Sequence, residues 1–397
     1  MFNGHQPSCS SHVFIVIISC WTLSSAEGGA SAQEAPPAIT QYFRAPDPYS
    51  GDLGPYRSPL LFDDGKPVAS ASDWPRRRAE IVAKWRAILG PLPEPLAAPK
   101  LTLLEKRHRE NFTEQHVHVE VGPGGRTSDG FLLIPDGPGP FPAVFVPFYE
   151  PQTSIGLGKP DTLGSIDFGI QLTRRGFVTL SIGTPGSAAQ PSGDTRQLLV
   201  EAGDDLRVQP LGYLATVASN CATALQQLPY VDKSRLGIVG HSYGGKWSMF
   251  ASCLDDRFTC ACWCDPGIVF NENNRSINYY EPWYLGWAPD TKRKPGIPTT
   301  DNPRTGPYLQ LHQHASREMI ELHALMAGRP VLVSGGSEDP QENWRALNHL
   351  IAVNRLLGHQ GLVGMTNRPV HRPTPDAAAV IYAFFVEQLQ RTQKSER

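Results

Sequence analysis

The pentapeptide Gly240-His241-Ser242-Tyr243-Gly244 sets a serine between two glycines, after the run Arg235-Leu236-Gly237-Ile238-Val239 and before a helix-like stretch reaching about Leu254. A strand that turns sharply into a helix forces the residue at the turn into strained dihedrals, and flanking glycines remove the clashes. The hydroxyl then stands above the sheet near the positive end of the helix dipole. The N–H of Tyr243 points to where an oxyanion would form. A serine hydroxyl is a weak nucleophile without a base to take its proton. Downstream lie His312, His314, His323, His349, His359 and His371. His371 follows the last strand-like run, in the loop TNRPVHRPTP before the closing helix, and is the expected base. His359 sits at a helix end and His323 in an amphipathic helix, while His312 and His314 either line a pocket or face solvent. The base needs an acid to fix its tautomer. The loop after Val331-Leu332-Val333 offers Asp339, the first choice, and its neighbour Glu338. Asp265, in Cys264-Asp265-Pro266-Gly267, is the third candidate. Asp-Pro steps are also turn formers in their own right. The second oxyanion donor is expected in Pro147-Phe148-Tyr149-Glu150-Pro151, as the backbone N–H of Tyr149 or Glu150.

The elements that must carry these residues alternate in type. From Gln33 to about Pro75 the chain is rich in Pro, Ser, Asp and Gly and reads as a loop-like extension. Trp74-Pro75 opens a helix with Ile81, Trp85, Ile88 and Leu89 at helical spacing, stopped by Gly90-Pro91. Arg76-Arg77-Arg78 reads as a solvated helix face. Strand-like runs follow at 115–121, 131–134, 143–146 and 176–181. Helices are expected at 166–175, 211–228, 244–254 and 377–389, with further strands at 235–240, 259–264, 330–334 and 361–365. Ala143-Val144-Phe145-Val146 is apolar throughout, as a strand covered on both faces must be. The expected fold class is α/β, a mostly parallel central sheet with helices on both faces. The segment 268–305, rich in Tyr, Trp, Asn and Pro, reads as a lid or insertion that sets specificity.

The 397 residues carry 36 basic and 38 acidic side chains, a formal charge of −2, so nothing favours a polyanionic partner and nucleic acid is excluded as an expected ligand. Val13 to Leu23 is an apolar run too short to span a bilayer, followed by small residues. It suits the core of a signal peptide, with Ala30-Ser31-Ala32 as the cleavage site and Ser24-Ser25-Ala26 as a second option. A lipid anchor at Cys20 is the alternative. No other segment promises membrane insertion. The expected organisation is a signal peptide at 1–32, an N-terminal extension with one helix packing on the core at 33–110, and a catalytic domain at 111–397. Cys260, Cys262 and Cys264 would share one face of a strand. Zinc sites use differently spaced pairs on turns, so these thiols read as buried apolar groups. In an exported protein Cys253 and Cys260 are a candidate disulfide.

At these residues the chain resembles the α/β-hydrolase superfamily, and within it the secreted bacterial carbohydrate esterases of the dienelactone-hydrolase, acetyl-xylan-esterase and glucuronoyl-esterase kind. The resemblance spans roughly Trp74 to Leu389. It rests on Gly240 to Lys246 (GHSYGGK), on Leu325 to Val333 (LMAGRPVLV) and on Arg368-Pro369-Val370-His371. It implies the chain order serine, acid, histidine. It also implies that Lys246 contacts sugar hydroxyls, since glucuronoyl esterases carry a lysine at that place. His241 and Tyr243 stand where that family usually has Cys and Arg. Trp344, shortly after Asp339, is a candidate sugar-stacking platform. The expected activity is hydrolysis of a small or polysaccharide-linked ester by Ser242, His371 and Asp339, with no metal or organic cofactor. A serine peptidase of the prolyl-peptidase type and an inert carbohydrate-binding relative are the alternatives.

Overall fold

The computed structural model describes Met1 and residues 39–184, 208–291, 293–313 and 318–390. The expected signal peptide, its cleavage site, Cys20 and His314 lie outside the described residues. The helices are α1 (Trp74–Leu89), α2 (Pro151–Ser154), α3 (Phe168–Thr173), α4 (Pro210–Gln226), α5 (Tyr243–Leu254), α6 (Gly306–Gln313), α7 (Glu318–Ala324), α8 (Trp344–Leu356) and α9 (Pro375–Leu389). The strands are β1 (Leu101–Arg109), β2 (Phe112–Gly122), β3 (Arg126–Pro135), β4 (Phe141–Pro147), β5 (Val178–Ile182), β6 (Val231–His241), β7 (Cys260–Cys264), β8 (Val331–Ser334) and β9 (Val363–Thr366).

All nine strands form one sheet in the order β1-β2-β3-β5-β4-β6-β7-β8-β9. The pairs β1–β2, β2–β3 and β3–β5 are antiparallel. From β5 onward every neighbour is parallel. This is the mostly parallel, two-sided sheet that the alternating pattern implied, in the α/β-hydrolase arrangement that the resemblance implied. The central strands are buried along their length, and successive residues feed different cores. Ala143, Phe145, Leu236, Ile238, Ala261, Trp263, Val331 and Val333 pack on one side with Ile81, Trp85 and Leu89 of α1, and with α4, α5, α7 and α8. Val144, Val146, Val239 and Leu332 pack on the other with α3 and α9. Cys260, Cys262 and Cys264 belong to that second face. The alternation is the strand's period of two expressed as two hydrophobic layers.

β1 is the edge that sequence patterning did not give, and its residues are exposed for nearly its whole length. Lys106, Arg107 and Arg109 on it discourage pairing with another chain. Burial pushes the thiols of Cys221, Cys253, Cys260 and Cys262 up, and all five described cysteines are free. The candidate Cys253–Cys260 disulfide is therefore absent, each sulfur being packed as a small apolar group. No helix among the described residues is long and apolar enough to cross a membrane.

Candidate active site

β6 ends at His241 and α5 begins at Tyr243, so Ser242 is the single residue between strand and helix. Its backbone is left-handed, with φ 56° and ψ −112°. That costs of order 1–3 kcal/mol in a non-glycine residue and persists only where the surroundings enforce it. Two contacts do so. Ser242 N donates to Cys264 O at 2.9 Å, and Lys246 N donates to Ser242 O at 2.9 Å. The flanking glycines are required by close approach: a Cβ on Gly240 would overlap the Gly244 carbonyl, and one on Gly244 would overlap Pro147 O. The serine is partly exposed while its helix is buried.

The same crossing positions Asp265. β6 and β7 pair in register through His241 and Cys264, and Asp265 follows directly. Asp265 is fully buried and is also left-handed, with φ 50°. His371 Nδ1 lies 2.7 Å from Asp265 Oδ2. Three backbone N–H groups fix the carboxylate: Gly336 at 2.6 Å, Asp339 at 2.9 Å and Glu338 at 3.3 Å. The loop that was expected to supply the acid thus supplies hydrogen-bond donors to it.

Asp339, the first choice, is overturned by this geometry. Its carboxylate accepts from Gly267 N at 2.8 Å, Ile268 N at 2.6 Å and Asn343 Nδ2 at 3.0 Å, and not from His371. The two loops exchange carboxylates: Asp265 caps the loop after β8, and Asp339 caps the turn after β7. Burial and then the nearby Asp265 charge raise Asp339 to about 7. Glu338 lies between the two roles, its Oε1 3.8 Å from His371 Nδ1. Its Oε2 is buried without a hydrogen-bond partner among the described residues. Asp265, Glu338 and His371 form a group whose ligand-type atoms fall within 4.8 Å of one another, but Asp265 and His371 already bind each other there.

His371 is held from below by Arg368, which spacing alone did not single out. The Arg368 guanidinium donates to Ser334 O at 2.9 Å, Gly335 O at 2.8 Å and Arg372 O at 2.9 Å, and also to His371 O. The His371 ring packs on His241 with centroids 4.5 Å apart. His241 is buried, which drives its basicity well below normal, and the His371 charge acts in the same sense. His241 therefore presents a neutral ring to its neighbour.

Tyr149 reaches the serine through its phenol. The phenol oxygen hydrogen-bonds to the Ser242 side chain and the Tyr243 N–H, and burial raises its pKa above the ordinary tyrosine value. It is thus a protonated hydroxyl beside Ser242. Its ring stacks on Tyr243, with centroids 5.4 Å apart and planes 13° apart.

Two expected substrate contacts are not available. Lys246 is 2 % exposed, and its ammonium binds Pro266 O at 2.7 Å inside the protein. Trp344 is also 2 % exposed and packs in the core at the start of α8. Its indole has no open face for a sugar. His323 is buried, and His312 stacks on Tyr308 with centroids 5.9 Å apart. The half-buried Trp283 and the buried Tyr279 and Tyr284 form an aromatic cluster that meets Tyr243 through Tyr284.

Residues 217–341 match the model of the prolyl oligopeptidase family. No curated protein matches the chain. Among solved structures, a glucuronoyl esterase from Solibacter usitatus is similar with a TM-score of 0.65 and 18 % identity, over 84 % of this chain and 97 % of that one. A carbohydrate esterase family 15 glucuronoyl esterase from Caldicellulosiruptor kristjansonii gives 0.60 and 19 %, over 84 % and 90 %. The glucuronoyl esterase catalytic domain from Hypocrea jecorina gives 0.56 and 17 %, over 84 % and 90 %. At these identities the likeness is one of fold.

Proposed function

We propose that the protein is a serine carboxylic-ester hydrolase that acts on carbohydrate-linked or other small esters through an acyl-enzyme intermediate. The observation that carries this reading is the 2.7 Å bond between His371 Nδ1 and the buried Asp265 carboxylate, beside a serine on a strained elbow. With Nδ1–H held by Asp265, the free Nε2 is the acceptor for the Ser242 proton. Ser242 Oγ attacks the ester carbonyl, and its proton passes to His371. The carbonyl oxygen becomes the oxyanion, taking the Tyr243 N–H and the Tyr149 O–H as donors. Collapse of the intermediate releases the alcohol, which takes the proton from His371. Water, activated by the same imidazole, then hydrolyses the acyl serine. In the resting protein the Tyr149 phenol accepts from Ser242 and Tyr243; when substrate binds, its carbonyl takes over the Tyr243 N–H and the phenol turns its O–H toward the oxyanion.

The carbohydrate ester as substrate rests on the likeness to glucuronoyl esterases, and export on the leader at 1–32. The segment 268–305, whose Tyr284 packs on Tyr243 beside the serine, is the part proposed to choose the substrate. The match to prolyl oligopeptidases favours a peptidase as the second reading. A panel of acetyl, feruloyl and methyl-glucuronate esters beside a prolyl p-nitroanilide separates the two. Hydrolysis of p-nitrophenyl acetate is expected to vanish in Ser242→Ala. Tyr149→Phe keeps the ring, removes one donor and should lower kcat by about 10²-fold. Equal rates in wild type and Ser242→Ala would end the esterase reading, and turnover of the anilide alone would replace it with the peptidase.

A further inference from the structure

The turn Asp265-Pro266-Gly267 carries the acid in a left-handed backbone, and its carbonyls are held from beneath. Lys246 Nζ donates to Pro266 O at 2.7 Å and to Ser276 O at 3.3 Å. Tyr279 Oη donates to Gly267 O at 2.9 Å and to Pro266 O at 3.3 Å. The ammonium lies over the ring of Tyr279 at 5.0 Å and over that of Tyr284 at 5.5 Å. Lys246 stands four residues after the nucleophile, and its own N–H fixes Ser242 O. One residue therefore touches both the nucleophile's backbone and the turn that bears the acid. A side chain this buried cannot reach a sugar hydroxyl.

We propose that Lys246 is a positioning residue for the reaction proposed above: its buried ammonium grips the Pro266 carbonyl and holds Asp265 in the conformation that meets His371. The inference rests on the esterase reading of the site. The clamp has a physical need, because a left-handed aspartate is retained only where its surroundings over-determine it. The charged groups facing the ammonium are Asp265 at the end of β7 and Glu338 and Asp339 on the loop after β8. Tyr279 and Tyr284 face it from the segment after β7. Burial lowers the Lys246 ammonium to about 8, against the pull of Asp339, Glu338 and Asp265. As pH rises through that value the grip loses its charge, and activity should fall with it.

The test is the pH profile of p-nitrophenyl acetate hydrolysis, from about pH 6 to about pH 10, for wild type and Lys246→Met. The variant is expected to lose about tenfold to a hundredfold in kcat at neutral pH with KM within about threefold of wild type. Its profile should lack the alkaline limb expected of wild type near 8. Retention of that limb, or a kcat within about twofold of wild type, overturns the proposal. So does a raised KM for a sugar ester with unchanged kcat, which assigns Lys246 to substrate. If thermal unfolding shows that Lys246→Met is not folded, Tyr279→Phe decides. That variant removes the neighbouring donor and should lower kcat while keeping the alkaline limb, and an unchanged kcat overturns the clamp. Ser242→Ala in the same assay separates the failures. An active Ser242→Ala defeats the esterase reading, whereas an inactive one beside a fully active Lys246→Met defeats only the inference.

Discussion

Asp265 and Asp339 are both buried, both accept several hydrogen bonds and sit one strand apart, yet only one faces the imidazole. Replacing each by Asn should separate their roles. Asp265→Asn presents an amide N–H to His371 Nδ1 and favours the wrong tautomer, so kcat should fall by about 10⁴-fold with little change in melting temperature. Asp339→Asn loses an acceptor for Gly267 N or Ile268 N and should destabilise by about 1–3 kcal/mol, with a far smaller loss of rate. Steady-state kinetics and thermal unfolding on the two variants check this, and the reverse pattern would return the acid role to Asp339. Ser242 and His371, the proposed nucleophile and base, stood out in sequence because each has a local mark: glycines around one, a loop between strand and helix around the other. The acid did not, because two strand ends offer an aspartate before a proline. The choice between them depends on which loop donates its N–H groups and which accepts. Lys246 and Trp344 were misread for a related reason: residue type alone does not tell a solvent-facing lysine or tryptophan from a buried one.

At the scale of elements, α7 carries two groups that belong to different parts of the ledger of charge. Glu321 is fully buried and paired with Arg77 at 2.6 Å and Lys84 at 2.5 Å, both from α1. The helix whose arginine run read as a solvated face thus sends Arg77 inward to meet α7. Two residues further along α7, His323 is fully buried beside Trp263, with neither ring nitrogen hydrogen-bonded among the described residues. Burial lowers its basicity from 6.5 to about 3, with His349 acting in the same direction. The depressed value means that the folded protein binds no proton at His323 while the unfolded chain does. Stability is unaffected well above the unfolded value and is lost progressively as pH falls below it. His323→Leu should therefore gain relative stability on acidification, by about 2 kcal/mol between pH 8 and pH 5. Urea unfolding of wild type and variant at the two values measures it, and an equal difference at both would mean that His323 is not held neutral. Element boundaries were otherwise read well where apolar periodicity was strong. β1 escaped because an exposed, charged edge strand has no buried face to leave a pattern.

Across the whole molecule, nine strands separate two hydrophobic layers, and the described cysteines are sealed within them. Burial raises their thiols; Cys264 is pushed up to about 12 despite Arg368 nearby. Thiol reagents should thus find five additional reactive groups on denaturation, and a reductant should leave the melting temperature unchanged. A reductant-sensitive melting temperature would mean that some of these sulfurs are bridged. The alternation of strand and helix along the chain made this layered plan readable from sequence, since a parallel sheet must be covered on both sides.

β7 has a consequence that reaches beyond packing. Its last carbonyl receives the Ser242 N–H, and its next residue is Asp265, so a single strand sets the spacing of the two side chains. A one-residue slip of β7 would displace both together and flip the cysteine face into the opposite layer. Insertions there are intolerable, whereas the excursion past Tyr279 and Tyr284, which brace the turn, can lengthen or shrink without disturbing the distance between them. The chain can therefore change what it admits while the ruler beneath its chemistry stays fixed.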